Sequence, residues 1–195
     1  MKHPLILALA GVMLAGPALE APETYVLDSS HTNIDWRINH FGFSNPSGKF
    51  TKATGTLVLD EARPENSTVN MTLAVSDIVT GIPKLDEHLL GKDFFDAAQF
   101  PKATFASSKV TLTGKDTAKV DGMLTVHGVS KPVVLDVKLN KIGINMMKQK
   151  TAGFSATTTI KRSDFGMKAY LPDLGDEVTI HIESEANLEA KKPNA

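Results

Sequence analysis

AKVDGMLTVHGVSKPVVLDVKL, residues 118–139, reads as two strands joined by a turn. Ala118, Val120, Gly122, Leu124 and Val126 alternate with Lys119, Asp121 and Thr125; Val133, Leu135, Val137 and Leu139 alternate with Asp136 and Lys138. A period of two sends successive side chains to opposite faces of a strand. His127-Gly128 and Lys131-Pro132 lie between the two runs and supply the turn.

The same alternation extends in both directions. Ile34, Trp36 and Ile38 share one face, with Asn33, Asp35 and Arg37 on the other. Leu57 and Leu59 follow, then Val69, Met71, Leu73 and Val75; later come Ala152, Phe154, Ala156, Thr158 and Ile160, and finally Val178, Ile180 and Ile182. Turn-forming clusters separate them at Asn45-Pro46-Ser47-Gly48, Arg63-Pro64-Glu65-Asn66 and Thr113-Gly114-Lys115-Asp116. Roughly eight strands with short connections and no alternating helices predict an all-β, antiparallel sheet rather than βαβ units. One-sided alternation requires a buried face. Closure into a barrel and folding into a sandwich both satisfy it.

One segment breaks the pattern: TGIPKLDEHLLGKDFFDAAQFP, residues 80–101. Pro83 suits a first helical turn and Gly91 the position after the last. Ile82, Leu85 and Leu89 fall on one helical face, with Lys84, Glu87 and His88 elsewhere. Phe94 and Phe95 then sit between Asp93 and Asp96, carboxylates expected to keep the segment near water. The expectation is a short amphipathic plug over one end of the sheet.

The chain has 195 residues, 42% hydrophobic and 22% charged, enough for one core, and a formal net charge of −1. Near-neutrality gives no electrostatic reason to expect nucleic acid, and no basic amphipathic stripe is present. The absence of cysteine excludes disulfides, thiol catalysis and a lipoprotein anchor. MKHPLILALAGVMLAGPALEA, residues 1–21, has a basic Lys2, an apolar run from Leu5 to Ala15 and then small residues, the layout of a secretory signal cleaved after Ala18 or Ala21. The run is shorter than the roughly 20 residues that span a bilayer, so no stable membrane insertion is expected. Residues 22–190 form one expected domain, with a polar tail at 191–195.

Several separated motifs resemble the bacterial YceI-like, lipocalin-like family of polyisoprenoid-binding proteins. They are YVLDSSHTNIDWRINHFGFSNPSGKF, DEHLLGKDFFDAAQFPKATF, GMLTVHGVSKPVVLDV, AGFSATTTIKRSDFGM and DEVTIHIESEA, in that order. Leu85 stands where the family usually carries a basic residue, and Trp36 where it usually carries Phe. The resemblance implies a lipocalin-like antiparallel β-barrel of roughly eight strands, a bound polyisoprenoid lipid of the quinone or polyprenyl type with no other cofactor required, and the periplasm of a Gram-negative bacterium.

An eight-stranded barrel is just wide enough either to be filled by side chains or to hold one slender ligand. Ala53, Gly55, Ala118, Gly122, Ala152 and Ala156 are small inward positions. They either leave room for a ligand or receive large neighbours such as Trp36, Phe105 and Phe154. With the resemblance, the expected tail contacts are Trp36, Met71, Leu73, Phe94, Phe95, Phe105, Phe154 and Phe165. Head-group candidates at the rim are Arg37, His40, His88 and Arg162, with Lys84, Asp86, Lys92 and Lys161 beside them. In RSDFG, residues 162–166, Asp164 is expected to cap a turn while Phe165 points inward.

Six histidines are present, but without His-x-His or H-E-x-x-H spacing, so no metal is expected. There is no G-x-S-x-G elbow, glycine-rich phosphate loop or dinucleotide fingerprint. The leading expectation is therefore a non-enzymatic carrier of an isoprenoid-tailed amphiphile. An enzyme acting on such a lipid through His40 or His88 and a carboxylate is the first alternative. A filled, stress-response barrel acting through a protein partner is the second. Base rates favour a C2 homodimer if the chain self-associates.

Overall fold

A computed structural model describes residues 21–190. The expected leader at 1–21, apart from Ala21, and the tail at 191–195 lie outside the described residues. Eleven strands follow the alternation: β1 Glu23–Leu27, β2 Asn33–His40, β3 Ser47–Phe50, β4 Thr54–Leu59, β5 Thr68–Ala74, β6 Ile78–Val79, β7 Lys102–Leu112, β8 Thr117–Val126, β9 Val129–Ile144, β10 Lys150–Lys161 and β11 Leu174–Leu188. The single α-helix among the described residues, α1, spans Pro83–Leu90 between β6 and β7.

Pairing runs β1-β4-β5-β7-β8-β9-β10-β11 and returns from β11 to β1, closing an eight-stranded antiparallel barrel. The β8–β9 register matches the hairpin read from residues 118–139, with Val120 opposite Leu135 and Val126 opposite Val129. His127 and Gly128 form its turn, both at positive φ. Closure satisfies every inner backbone group without leaving a sheet edge there.

β11 changes partner along its length. Ala186 to Leu188 pair with β1, whereas residues from Leu174 to Glu183 pair with β2. β2 continues into β3, and β3 into β6. One half of the barrel is thus bounded by the ring of eight, and the other gains the β2-β3-β6 flap. Strand number sets barrel diameter, so the second half is the wider one. The narrow half is packed by Tyr25, Leu27, Leu57, Leu59, Ala152 and Ala186.

After β10 the chain turns a corner through a short 3₁₀ segment, Arg162–Phe165. Arg162 is 4% exposed, buried in this corner behind the rim, where it also borders the cavity. Its Nε donates to the Gly175 carbonyl at 2.8 Å, Nη1 to Met167 at 3.0 Å and Nη2 to Leu174 at 2.9 Å. The fork of guanidinium donors therefore ties β10 to the start of β11. The expected cap at Asp164 is supplied instead by Asp176, which accepts from the Ser163 amide at 2.9 Å and hydroxyl at 2.7 Å. The carboxylate that caps this corner comes from the neighbouring strand, which a local motif cannot show.

Replacing Arg162 with Met keeps the apolar stem but strands three carbonyls away from partners. We expect a loss of about 3–5 kcal/mol, read as a lower urea midpoint at constant slope. Acid sensitivity follows from two carboxylates. Burial alone pushes the Asp176 carboxyl up, but the Ser163 hydroxyl and amide with the Arg162 charge bring it below the ordinary range. The Ser30 hydroxyl and His31 ring hold Asp28 well below that range. Both folded values lie under the unfolded ones, so their stabilisation is present above about pH 4 and lost as pH falls further. Thermal midpoints should drop over that acidic window, and Asp176→Asn should make the drop shallower while lowering the midpoint at pH 7.

Candidate functional site

The wider half of the barrel encloses a cavity of about 630 Å³. Its wall comes from the inward faces of six strands: Ile34, Trp36 and Ile38 on β2; Met71 and Leu73 on β5; Ala103 and Phe105 on β7; Leu124 and Val126 on β8; Thr158 and Ile160 on β10; Val178, Ile180 and Ile182 on β11. Val133 and Leu135 of β9 complete the circuit. The cavity belongs to the segment of β11 that pairs with β2, so it follows from the change of partner described above.

Room does not come from the small inward residues: none of the six lines the cavity. A Cβ at Gly122 would come within 2.3 Å of the Phe105 ring, so this glycine receives a large neighbour from the next strand. Ala53 and Ala152 are fully buried in packed regions. Gly48 plays the same part for Trp36, since a Cβ there would meet indole Cζ2 at 2.4 Å. The indole thus lies flat against β3. Its Nε1 is buried with no hydrogen-bond partner among the described residues, a cost of about 1–3 kcal/mol held in the cavity wall.

α1 closes part of the open end. Leu85, His88 and Leu89 face the cavity, and Phe94 and Phe95 follow as side walls. Pro83 opens the helix as expected, but Ile82 precedes it as the N-cap and is 58% exposed rather than sharing the inward face. Asp96 is buried, with its carboxylate accepting from Gln99 Nε2 at 2.6 Å, so only Asp93 of the two flanking carboxylates stays in water. Phe95 meets Phe50 edge-on at 5.5 Å between centroids, which pins the plug to β3.

The structure brings Trp36, Met71, Leu73, Phe94, Phe95 and Phe105 together on the cavity wall. It places the other two expected contacts elsewhere. Phe154 packs beside the narrow-half cluster, because its place along β10 puts it at that end of the barrel. Phe165 is 1% exposed inside the packed core behind the corner. Among the head-group candidates, His40 and His88 stand at the mouth. Arg37 is on the outward face of β2; Arg162 lines the cavity from below the surface, with three of its five N–H donors committed to backbone carbonyls.

Tyr170 was not among the residues expected from sequence. It lines the mouth beside His88 and Phe94, with centroid separations of 6.5 and 6.2 Å. The signal available was an aromatic in a loop, Ala169-Tyr170-Leu171-Pro172, that the period-two pattern leaves unassigned. His88 and Phe94 meet at 5.1 Å, which completes a ring of three side chains around the opening. The His40 ring packs on Phe41 at 4.7 Å. Neither histidine is hydrogen-bonded to a carboxylate among the described residues, so no acid–base dyad is assembled at the mouth. The described residues contain no cluster of His, Asp and Glu able to hold a metal. No lysine lines the cavity, and no described helix is long and apolar enough to cross a membrane.

Comparison with known proteins adds relatives to this geometry. A UPF0312 protein of Pseudomonas savastanoi pv. phaseolicola is 39% identical over 163 residues, covering 83% of this chain and 85% of its own. The crystal structure of Burkholderia cenocepacia BcnA superposes with a TM-score of 0.74 at 26% identity, over 82% of this chain and 98% of that one. A polyisoprenoid binding domain from Saccharophagus degradans, implicated in plant cell wall breakdown, shares the fold with a TM-score of 0.67 at 14% identity, over 85% and 98% of the two chains. Residues 25–186 match the YceI-like domain model, and the chain belongs to that family.

Proposed function

We propose that the protein is an exported carrier that holds an amphiphile by its isoprenoid tail. The observation that carries this reading is the blind apolar cavity, sealed at one end by Tyr25 and its neighbours and open at the other beside α1. At about 30 Å³ per heavy atom, borrowed from liquid water, 630 Å³ accommodates about 21 atoms, or about four isoprene units. Each unit gains about 4 kcal/mol on leaving water, at about 0.8 per carbon. Exchange with a bilayer is near zero in net free energy, because the tail is apolar in both places. That balance lets a carrier load and unload. The polyisoprenoid-binding domain of Saccharophagus degradans supports the ligand class by analogy of fold.

A blind cavity fixes the orientation: tail inward, head group at His40, His88 and Tyr170. Among the described residues no lysine faces the cavity, and Arg162, the one cation on its wall, has three of its five N–H donors committed to backbone carbonyls, which leaves a phosphate a poor cationic partner there. An uncharged, planar head such as a quinone matches the aromatic mouth better than a polyprenyl phosphate does. The secretory layout of residues 1–21 supports the periplasm as the compartment.

Native mass spectrometry of gently purified protein should show a co-purifying apolar mass, with prenyl quinone taken up and polyprenyl phosphate refused. Clean apo protein that takes up neither would sink the carrier reading. Val133→Phe should fill the lumen, cutting uptake at least tenfold while leaving the fold intact by circular dichroism. Gly48→Ala should push the indole of Trp36, the single tryptophan, off its seat. A shifted emission maximum with weakened uptake is expected; an unchanged spectrum would show that β3 yields instead.

A further inference from the structure

The mouth is apolar outside as well as within. Phe43 is 90% exposed, Ile82 58% and Tyr170 53%, with Phe41 close behind. Phe41 and Phe43 stand on the turn between β2 and β3, fixed by the Phe43 amide donating to His40 and the His40 amide to Ser44. Tyr170 belongs to the loop entering β11, whose Leu174 pairs with His40, so the two loops are neighbours. Ile82 begins α1, which lies across the same opening. Phe41 and Tyr170 hold positive φ angles of 53° and 60°, a strained setting for side chains of this size. From His40 to Ser47, and from Ala169 to Pro172, the sequence contains no Asp, Glu, Lys or Arg.

We propose that this rim docks on the uncharged interfacial layer of a lipid bilayer, seating the open mouth against the membrane so that the guest enters without crossing water. The proposal rests on the carrier reading and adds the surface from which loading occurs. Amphipathic rings such as Tyr170 favour the bilayer interface, and exposed Phe and Ile side chains gain by leaving water there. A protein seated on the rim would cover Phe41 and Tyr170, which also line the cavity, and so would shut the entry. The turn from His40 to Ser47 carries no charge, and the exposed charges beside Tyr170 and Ile82 come in opposite-sign pairs, Lys168 with Asp173 and Lys84 with Glu87, so the rim has no net charge to steer a protein partner. Ile144, Met146 and Met147 make another exposed apolar cluster, at the β9–β10 turn. They lie toward the packed end, where the cavity does not reach, and serve as the internal control.

The test is flotation of the full chain with phosphatidylcholine vesicles, together with uptake of a prenyl quinone from those vesicles and from detergent micelles. Phe43 and Ile82 do not line the cavity, so Phe43→Ser/Ile82→Ser should take up quinone from micelles like the unmodified protein. It should lose flotation and load from vesicles at least tenfold more slowly. Met146→Ser/Met147→Ser should float normally, and raising salt should change flotation less than twofold. Equal vesicle loading by the Phe43→Ser/Ile82→Ser variant would overturn the docking proposal, while intact micelle uptake would leave the carrier reading standing. Flotation without uptake from either source would support docking and sink the carrier. Loss of a dimer in sedimentation, with flotation unaltered, would assign the rim to a second copy of the chain and overturn the proposal.

Discussion

The exchange of partners along β11 is the constraint on which the rest depends. A strand of 15 residues is longer than any single neighbour on that side, so β1 takes one end and β2 the other. Where β1 closes the ring, the lumen is narrow enough for Tyr25, two alanines and three leucines to fill it. Where β2 takes over, β3 and β6 add to the wall, and ordinary aliphatic side chains no longer reach the axis. Cavity and sealed end are two outcomes of one pairing pattern.

That pattern needs a firm corner, because the stretch of β11 that pairs with β2 begins just after the chain has reversed from β10. Arg162 supplies it by satisfying three carbonyls spread from Met167 to Gly175. An apolar residue there would leave buried acceptors unpaired, and a lysine lacks the planar fork to reach all three. Asp176 then fixes the 3₁₀ segment and faces the guanidinium charge. The charge that looks like a lipid contact in sequence is thus a strut holding the cavity wall in register.

Strand placement was legible because period two is written locally: Ile34, Trp36 and Ile38 declare their face without reference to any other strand. The helical plug was legible for the same reason, through Pro83 and the 3.6-residue spacing of Leu85 and Leu89. What stayed hidden depends on cross-strand partners. Gly122 looks like spare volume until Phe105 is seen to come from the adjacent strand and occupy it. Phe154 keeps the correct parity, yet its place along β10 puts it with Tyr25 in the packed half, which parity alone does not show. Arg162 shows only a charge in a turn, whereas its partners lie up to 13 residues further on.

Leu85 and Trp36 fall where the geometry gives them meaning. Leu85 faces the cavity from α1 with an aliphatic side chain. Trp36 gives the apolar wall its largest side chain and depends on Gly48 for its seat. Both residues put apolar surface on the wall that the proposed guest would meet. With so little charge on that wall, the proposed carrier would bring its guest in with little electrostatic help. In the proposed carrier, selection among lipids would fall to shape and to the aromatic ring of His88, Phe94 and Tyr170, whose flat faces suit a planar head better than a tetrahedral one.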